Sequence, residues 1–136
     1  SHPPHELFEE ILRKTSRSAA MKGAWGENAA AEWLVSRGWH ILERNYRTRF
    51  GELDIIAENE RFLVFFEVKT RRNARFAAAC EAVTPAKQAR LIAAAEAWLQ
   101  SAPAEKQPRF DVIEIYAPDG MQTKCPQIRQ IEDAFI

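Results

Sequence analysis

Apolar residues recur at two spacings along this chain, and the switches between them mark out its elements. Near the start, Leu7, Phe8, Ile11 and Leu12 fall at helical spacing, which predicts a short amphipathic helix. The small, polar stretch Thr15–Ala20 follows and has the composition of a linker. Residues 1–21 are therefore expected to form an N-terminal extension, and 22–136 the main domain. Ala29, Ala30, Trp33 and Leu34 make the apolar stripe of a second helix, and Gly38 is its stop. Trp39, Ile41 and Leu42 begin a strand that Asn45-Tyr46-Arg47 continues or turns. Leu53–Ala57 is a second strand, and Glu58–Arg61 a polar turn. Phe62–Thr70 is a third strand, apolar on both faces up to Val68, as suits the buried centre of a sheet.

The second half repeats this logic. Thr84-Pro85 predicts a helix start, with Thr as N-cap and Pro in the first turn. Leu91, Ile92, Ala95, Trp98 and Leu99 are its buried stripe, and Pro103 and Pro108 punctuate its exit. Phe110–Tyr116 reads as a strand and Pro118-Asp119-Gly120 as a turn. The segment through Ile128, Ile131 and Phe135 reads as a short strand and a packed tail. Helix, β-meander, helix, strand is the order of an α/β domain: a mixed central sheet flanked by helices.

Composition narrows the class. The 136 residues are 46% hydrophobic, with four Trp and eight Phe, enough for one core and too much for a disordered chain. No apolar run approaches the roughly 20 residues of a membrane span. No basic start leads into an apolar run and a small-residue cleavage site, so the expected compartment is the cytoplasm, with no membrane partner. Cys80 and Cys125 lie apart, without a second thiol or His at ligand spacing. This argues against zinc and predicts two reduced, partly buried thiols.

Nineteen basic and 19 acidic residues give zero net charge, so the global balance offers no support for nucleic-acid binding. The distribution is uneven. Arg44, Arg47 and Arg49 form one basic cluster, and Lys69, Arg71, Arg72 and Arg75 another. A solvated surface would account for both equally well.

The candidate chemistry lies between Gly51 and Arg72. Asp54 sits inside the apolar run Leu53-Asp54-Ile55-Ile56, and strand alternation puts Glu52, Asp54 and Ile56 on one face. Glu67 and Lys69, two apart in the next strand, also share a face. If these strands are hairpin neighbours, Asp54, Glu67 and Lys69 come together. Carboxylates among Ile, Val and Phe lose hydration and repel one another. A hard divalent cation offsets both costs, and an adjacent lysine can stabilise charge developing on a phosphoryl group. An edge strand with a solvated Asp54 and a Glu67–Lys69 salt bridge would leave much the same trace. Glu27 adds a third acid at the edge of a helix stripe; its plain role there is a first-turn Glu favoured by the helix dipole.

Gly51-Glu52-Leu53-Asp54-Ile55-Ile56-Ala57, followed by Val64-Phe65-Phe66-Glu67-Val68-Lys69-Thr70-Arg71, resembles the PD-(D/E)XK nuclease signature. Its closest likeness is the bacterial YraN-like family of uncharacterised proteins, themselves similar to archaeal Holliday junction resolvases. Gly26-Glu27, Ala30, Leu34, Gly38-Trp39, Asn45-Tyr46-Arg47, Val83, Lys87, Leu91, Trp98-Leu99 and Arg109-Phe110-Asp111-Val112 extend the resemblance over roughly 22–135. It implies a restriction-endonuclease-like fold and a divalent-metal-dependent DNA endonuclease, with structure-specific or junction cleavage as a specialisation. It implies Mg²⁺ or Mn²⁺ on Asp54 and Glu67, the Val68 carbonyl as a further ligand, Glu27 as an accessory acidic ligand and Lys69 as the catalytic lysine. Lys87, near a helix N-terminus, is expected to approach substrate phosphate. Arg44, Arg47, Arg49, Arg71, Arg72 and Arg75 are the expected DNA-contacting rim. Balanced charge leaves room for a partner or a homodimer to complete that surface. A nucleic-acid-binding module that does not cut, and a protein-interaction domain, are the alternatives. Two departures stand out: Leu53 replaces the signature's Pro, and a Gly expected near Phe76-Ala77 is absent, so that loop is expected to differ.

Overall fold

Phe62–Arg71 is the strand around which the rest is arranged. The computed structural model describes residues 21, 23–72, 83–102 and 105–135. The expected helix at Leu7–Leu12, the loop at Phe76-Ala77, and Arg75 and Cys80 lie outside the described residues. A first helix, α1, covers 23–36. Strands β1 (His40–Arg47), β2 (Glu52–Glu58) and β3 (Phe62–Arg71) follow, then helix α2 (Pro85–Ser101), β4 (Gln107–Tyr116) and β5 (Gln127–Ile131). The five strands form one sheet in the order β1-β2-β3-β4-β5. Every neighbouring pair is antiparallel except β3 and β4, which are parallel. A parallel pair needs a long crossover, and α2 lies in it. This is the α/β, restriction-endonuclease-like arrangement expected from the sequence, a mixed sheet flanked by helices.

The helices cover opposite faces. Ala30, Ala31 and Leu34 of α1 pack with Ile55, Ala57, Val64, Phe66, Ile113 and Ile115. Leu91, Ala94 and Ala95 of α2 pack with Ile56, Leu63, Phe65 and Val112. β3 thus buries both faces, and its apolar run has no polar alternation for that reason. Phe65 and Phe66, adjacent in sequence, go to opposite clusters. Each is worth about 1.5–3 kcal/mol of burial, and each meets a Trp edge-on: Trp98 at 6.0 Å and Trp39 at 5.3 Å.

Local chemistry explains the ends of these elements. Gly38, at φ 91°, closes α1, with Trp39 N–H donating to the Leu34 carbonyl and Gly38 N–H to that of Val35; these are the two bonds of a Schellman cap. The Asn59 carboxamide oxygen accepts from the N–H groups of Arg61 and Phe62 and forms the polar turn between β2 and β3. Thr84 caps α2 by accepting from Lys87 N–H at 3.2 Å, with Pro in the first turn.

Some expectations change. β4 starts at Gln107 and includes Pro108, which the sequence placed at the helix exit. β5 pairs only with residues 112–116 of β4, so the strand has an open side at Pro108, where a missing N–H is tolerated. Leu42 is 38% exposed because β1 carries a bulge between Ile41 and Glu43 that turns it outward. Cys125 is exposed rather than partly buried, since it lies in the connection before β5. The terminal segment does pack, with the Phe135 ring stacked 4.9 Å from Phe110.

Candidate active site

β2 and β3 part company at one end, and the candidate residues gather at that parting. Their ladder ends at Ile55 and Phe66. Asn59 N–H donates to the Phe62 carbonyl, so hydrogen-bonded pairs fall at 59/62, 57/64 and 55/66. The next such pair would be Leu53 and Val68. Instead, Val68 N–H donates to Asp54 Oδ2 at 2.8 Å. In a strand the C=O points to the same side as the N–H of its residue, so the Val68 carbonyl also opens into the gap. Glu27, Asp54, Glu67, Val68 and Lys69 line the resulting cleft, about 350 Å³ in volume.

The expected face of β2 needs correction. Leu53 packs in the α2-side cluster together with Ile56, although an odd number of positions separates them. Strict alternation therefore fails at this end, where the strand is freed from β3, and Asp54 turns toward Val68 rather than simply sharing a face with Ile56.

Charge in the cleft is crowded. Glu67 is 8% exposed, and its Oε1 accepts from two ammonium groups, Lys87 at 2.6 Å and Lys69 at 3.2 Å. Burial, then repulsion from Glu67, pushes the Asp54 carboxyl up to about 7, against the stabilising bond from Val68 N–H. Burial and the neighbouring Lys87 lower the pKa of Lys69. Burial works against the charge on Lys87 too, but its bonds to Glu67 and Lys69 outweigh it and raise the pKa.

Glu27 arrives from the other side of the gap. Gly26 is pressed so closely onto β3 that a Cβ there would lie 2.5 Å from Thr70 Oγ1. This close approach sets α1 against the end of β3 and brings Glu27 to the cleft. Burial raises its pKa, and the nearby Arg44 opposes that rise. Glu27 Oε1 is buried and has no hydrogen-bond partner among the described residues.

These residues fit a hard divalent cation in part. Among the described residues, no three of His, Cys, Asp or Glu stand as a ready metal-binding group. The cleft offers two carboxylates that repel one another, one backbone carbonyl and the orphaned oxygen of Glu27. Mg²⁺ is commonly held by one or two carboxylates, with waters and substrate phosphate completing the shell. The donor set is of that kind, with the two lysines as resident competitors for Glu67.

The basic residues separate into groups. Arg44 and Arg47 line a second cleft beside Glu27. Arg44 Nη2 donates to Asn28 Oδ1 at 2.6 Å, and Arg47 pairs with Glu52 at 3.5 Å. Arg49 lies over the Phe50 ring at 4.8 Å, on the turn between β1 and β2. Arg71 continues the line of Glu67 and Lys69 along β3, with its Nε buried and without a partner among the described residues. Arg72 reaches toward Gly120. Lys87, expected near substrate phosphate, sits on Glu67.

Two buried acids of β4 were passed over in the sequence. Asp111 and Glu114 are both 0% exposed. The signal was present, since each is a carboxylate inside the apolar run Phe110–Tyr116, the same pattern that singles out Asp54.

Comparison with known proteins adds the family. Residues 26–115 match the uncharacterised protein family UPF0102. A UPF0102 protein of Syntrophomonas wolfei is 46% identical over 114 residues, covering 83% of this chain and 96% of that protein. Similar proteins occur in Symbiobacterium thermophilum, 48% identical over 83% of this chain and 94% of the relative, and in Chlorobium phaeobacteroides, 50% identical over 84% and 93%. Among the described residues, no helix is long and apolar enough to cross a membrane.

Proposed function

The chain belongs to the uncharacterised protein family UPF0102, and we propose that it is a divalent-metal-dependent endonuclease acting on DNA. One observation carries this reading. Where β2 and β3 part, Asp54 and Glu67 meet in one cleft with Lys69 and the Val68 backbone, and burial together with repulsion from Glu67 pushes Asp54 up to about 7. That is a poor resting place for two carboxylates and a good one for a cation with phosphate beside it.

When bound on Asp54 and Glu67, Mg²⁺ or Mn²⁺ would acidify a water and offset charge on the phosphoryl oxygens. The chain's own residues have distinct tasks. Asp54 is held in place by the Val68 N–H, and Glu67 is held by Lys69 and Lys87 until a cation replaces them. Lys69, partly buried, supplies a fixed positive charge toward the attacked phosphate. Lys87, at the start of α2, is free to move from Glu67 to a phosphate oxygen. Arg44, Arg47 and Arg49, with Arg71 and Arg72, give the backbone of the nucleic acid a cationic rim. Structure-specific cutting, including at a Holliday junction, is the specialisation that the resemblance suggests, and a second copy is one way to span such a substrate.

A second reading draws on the two lysines already on Glu67: a nucleic-acid-binding module whose acids are neutralised internally and which does not cut. The experiment is a cleavage panel over single-stranded, duplex, flap and four-way-junction DNA with Mg²⁺ or Mn²⁺. Cutting of at least one substrate that stops in Asp54→Ala supports the nuclease. Binding without any metal-dependent cutting supports the module.

A further inference from the structure

β4 carries a carboxylate that the reaction above leaves unused. Glu114 is 0% exposed, and among the described residues neither of its oxygens has a hydrogen-bond partner. A buried, unpartnered carboxylate is strongly unfavourable and points to a second state in which it is satisfied.

The sheet says what lies beside it. Val112 packs on the α2 side, and Ile113 and Ile115 on the α1 side, so alternation sends Glu114 to the α2 side. By the same rule Phe65 and Phe66 place Glu67 and Lys69 on the α2 side of β3. In the parallel ladder, Lys69 and Glu114 are direct cross-strand partners. Lys69 therefore has two acids on its face of the sheet: Glu67, 3.2 Å away, and Glu114 on the next strand. Among the described residues it is paired only with the first.

We propose that Glu114 is a positioning residue for Lys69, receiving its ammonium group when Glu67 turns to a divalent cation. This rests on the metal-dependent reading of the cleft. Glu67 Oε1 cannot serve a divalent cation and two ammonium groups at once, because like charges at such spacing repel strongly. Lys87 has an exit toward solvent and substrate along α2. Lys69 stands on a central strand with one unpaired acid opposite it. Transfer to Glu114 keeps Lys69 charged and beside the scissile phosphate. Two rivals for Glu114 are Arg71, next on the same face of β3, and Arg129, opposite Glu114 on β5.

The test is a double-mutant cycle on the whole chain, using Glu114→Gln, Lys69→Ala and the pair. Mn²⁺ affinity is read by calorimetry or water-proton relaxation, and single-turnover cleavage in parallel. In the wild-type background, Glu114→Gln should weaken Mn²⁺ binding roughly tenfold, a coupling ordinary for neighbouring groups. In the Lys69→Ala background it should have almost no effect, because no lysine needs a new partner. Cleavage should follow the same non-additive pattern with DNA affinity unchanged. The melting temperature of Glu114→Gln should not fall, since among the described residues no hydrogen bond is lost. If it does fall, Glu114→Met, similar in volume and apolar, takes its place in the cycle. Additive effects on Mn²⁺ binding, or coupling of Glu114 to Arg71 or Arg129 instead of Lys69, overturn the proposal, as does a wild type that takes up no Mn²⁺. Coupling in Mn²⁺ binding without cleavage of any DNA upholds it and defeats the nuclease reading; cleavage with an additive cycle does the reverse.

Discussion

The sheet holds two acidic centres, and they are finished differently. At one, Asp111 accepts from Arg109 Nε and Nη2 at 2.8 Å each, from Gln130 Nε2 at 2.8 Å and from Asp133 N–H at 2.9 Å. The Arg109 guanidinium also lies over the Phe62 ring at 4.4 Å. Every lone pair has a donor, and the centre ties β4 to the chain's last turn. At the other, among the described residues, Asp54 has a single backbone donor, Glu67 has two competing lysines on one oxygen, and Glu27 has an oxygen with none. Asp111 and Glu67 are both buried in the same fold, so burial of an acid alone says little about its role. The difference is completeness. A closed set of partners consolidates the fold, whereas an open set leaves capacity for something that arrives later.

The largest expected break in this comparison comes from the closed centre. Asp111→Ala leaves Arg109 buried without its bidentate partner, and breaking such a pair typically removes about 3–5 kcal/mol. Urea unfolding should show that destabilisation; a variant within about 1 kcal/mol of wild type, the size of a single ordinary hydrogen bond, would mean that the network is ornamental. Next in size is Lys69, the lysine proposed to act in cleavage. Lys69→Ala should cut about 10²–10³ more slowly, with folding and DNA affinity largely kept. Glu60→Ala, a turn carboxylate away from the cleft, should cut normally. Equal rates for Lys69→Ala and wild type would remove Lys69 from the site.

A smaller effect belongs to pH. Asp54 rises from an ordinary 3.8 to about 7 in the folded protein, so between these values the folded state binds more protons than the unfolded one. Its contribution to stability is complete below pH 3.8 and is lost as pH rises to about 7. The swing should be on the order of a few kcal/mol. Asp54→Asn should match wild type at the acid end of that window and be more stable at its alkaline end. Parallel stability curves for the two proteins would show that the open centre is not strained. Least dramatic is the rim. Replacing Arg44, Arg47 or Arg49 singly should lower the magnitude of the log–log salt slope of duplex binding by about 0.9 for each phosphate no longer neutralised. An unchanged slope would place the nucleic acid elsewhere.

How much of this was legible beforehand varies with the kind of interaction. The central strand showed in the unbroken apolar run Phe62–Phe66, the cap of α2 in Thr84-Pro85, and the meeting of Asp54 with Glu67 in the two adjacent strands. These are properties of neighbours in sequence or in a hairpin. The attachment of Lys87 to Glu67 was not legible, because it depends on where the crossover returns α2 to the sheet. The turn of Leu53 toward α2 depends on the two strands parting, which no local propensity encodes. Asp111 and Glu114 look alike in the run Phe110–Tyr116, yet Asp111 is saturated while Glu114 has no partner among the described residues; Arg109, two residues away on the same strand, supplies half of Asp111's donors, and the other half, from Gln130 and Asp133, come near only through the pairing of β4 with β5.

The bond between Val68 N–H and Asp54 has a practical consequence for anyone watching the molecule by NMR. A main-chain amide at the edge of a broken ladder is here coupled to one carboxylate oxygen, not to another peptide. Its proton frequency will register whatever happens to that oxygen: protonation near neutral pH, a cation, or a phosphate drawn in beside it. The Val68 resonance is thus a gauge wired into the cleft, readable without any introduced label and before any substrate has been found.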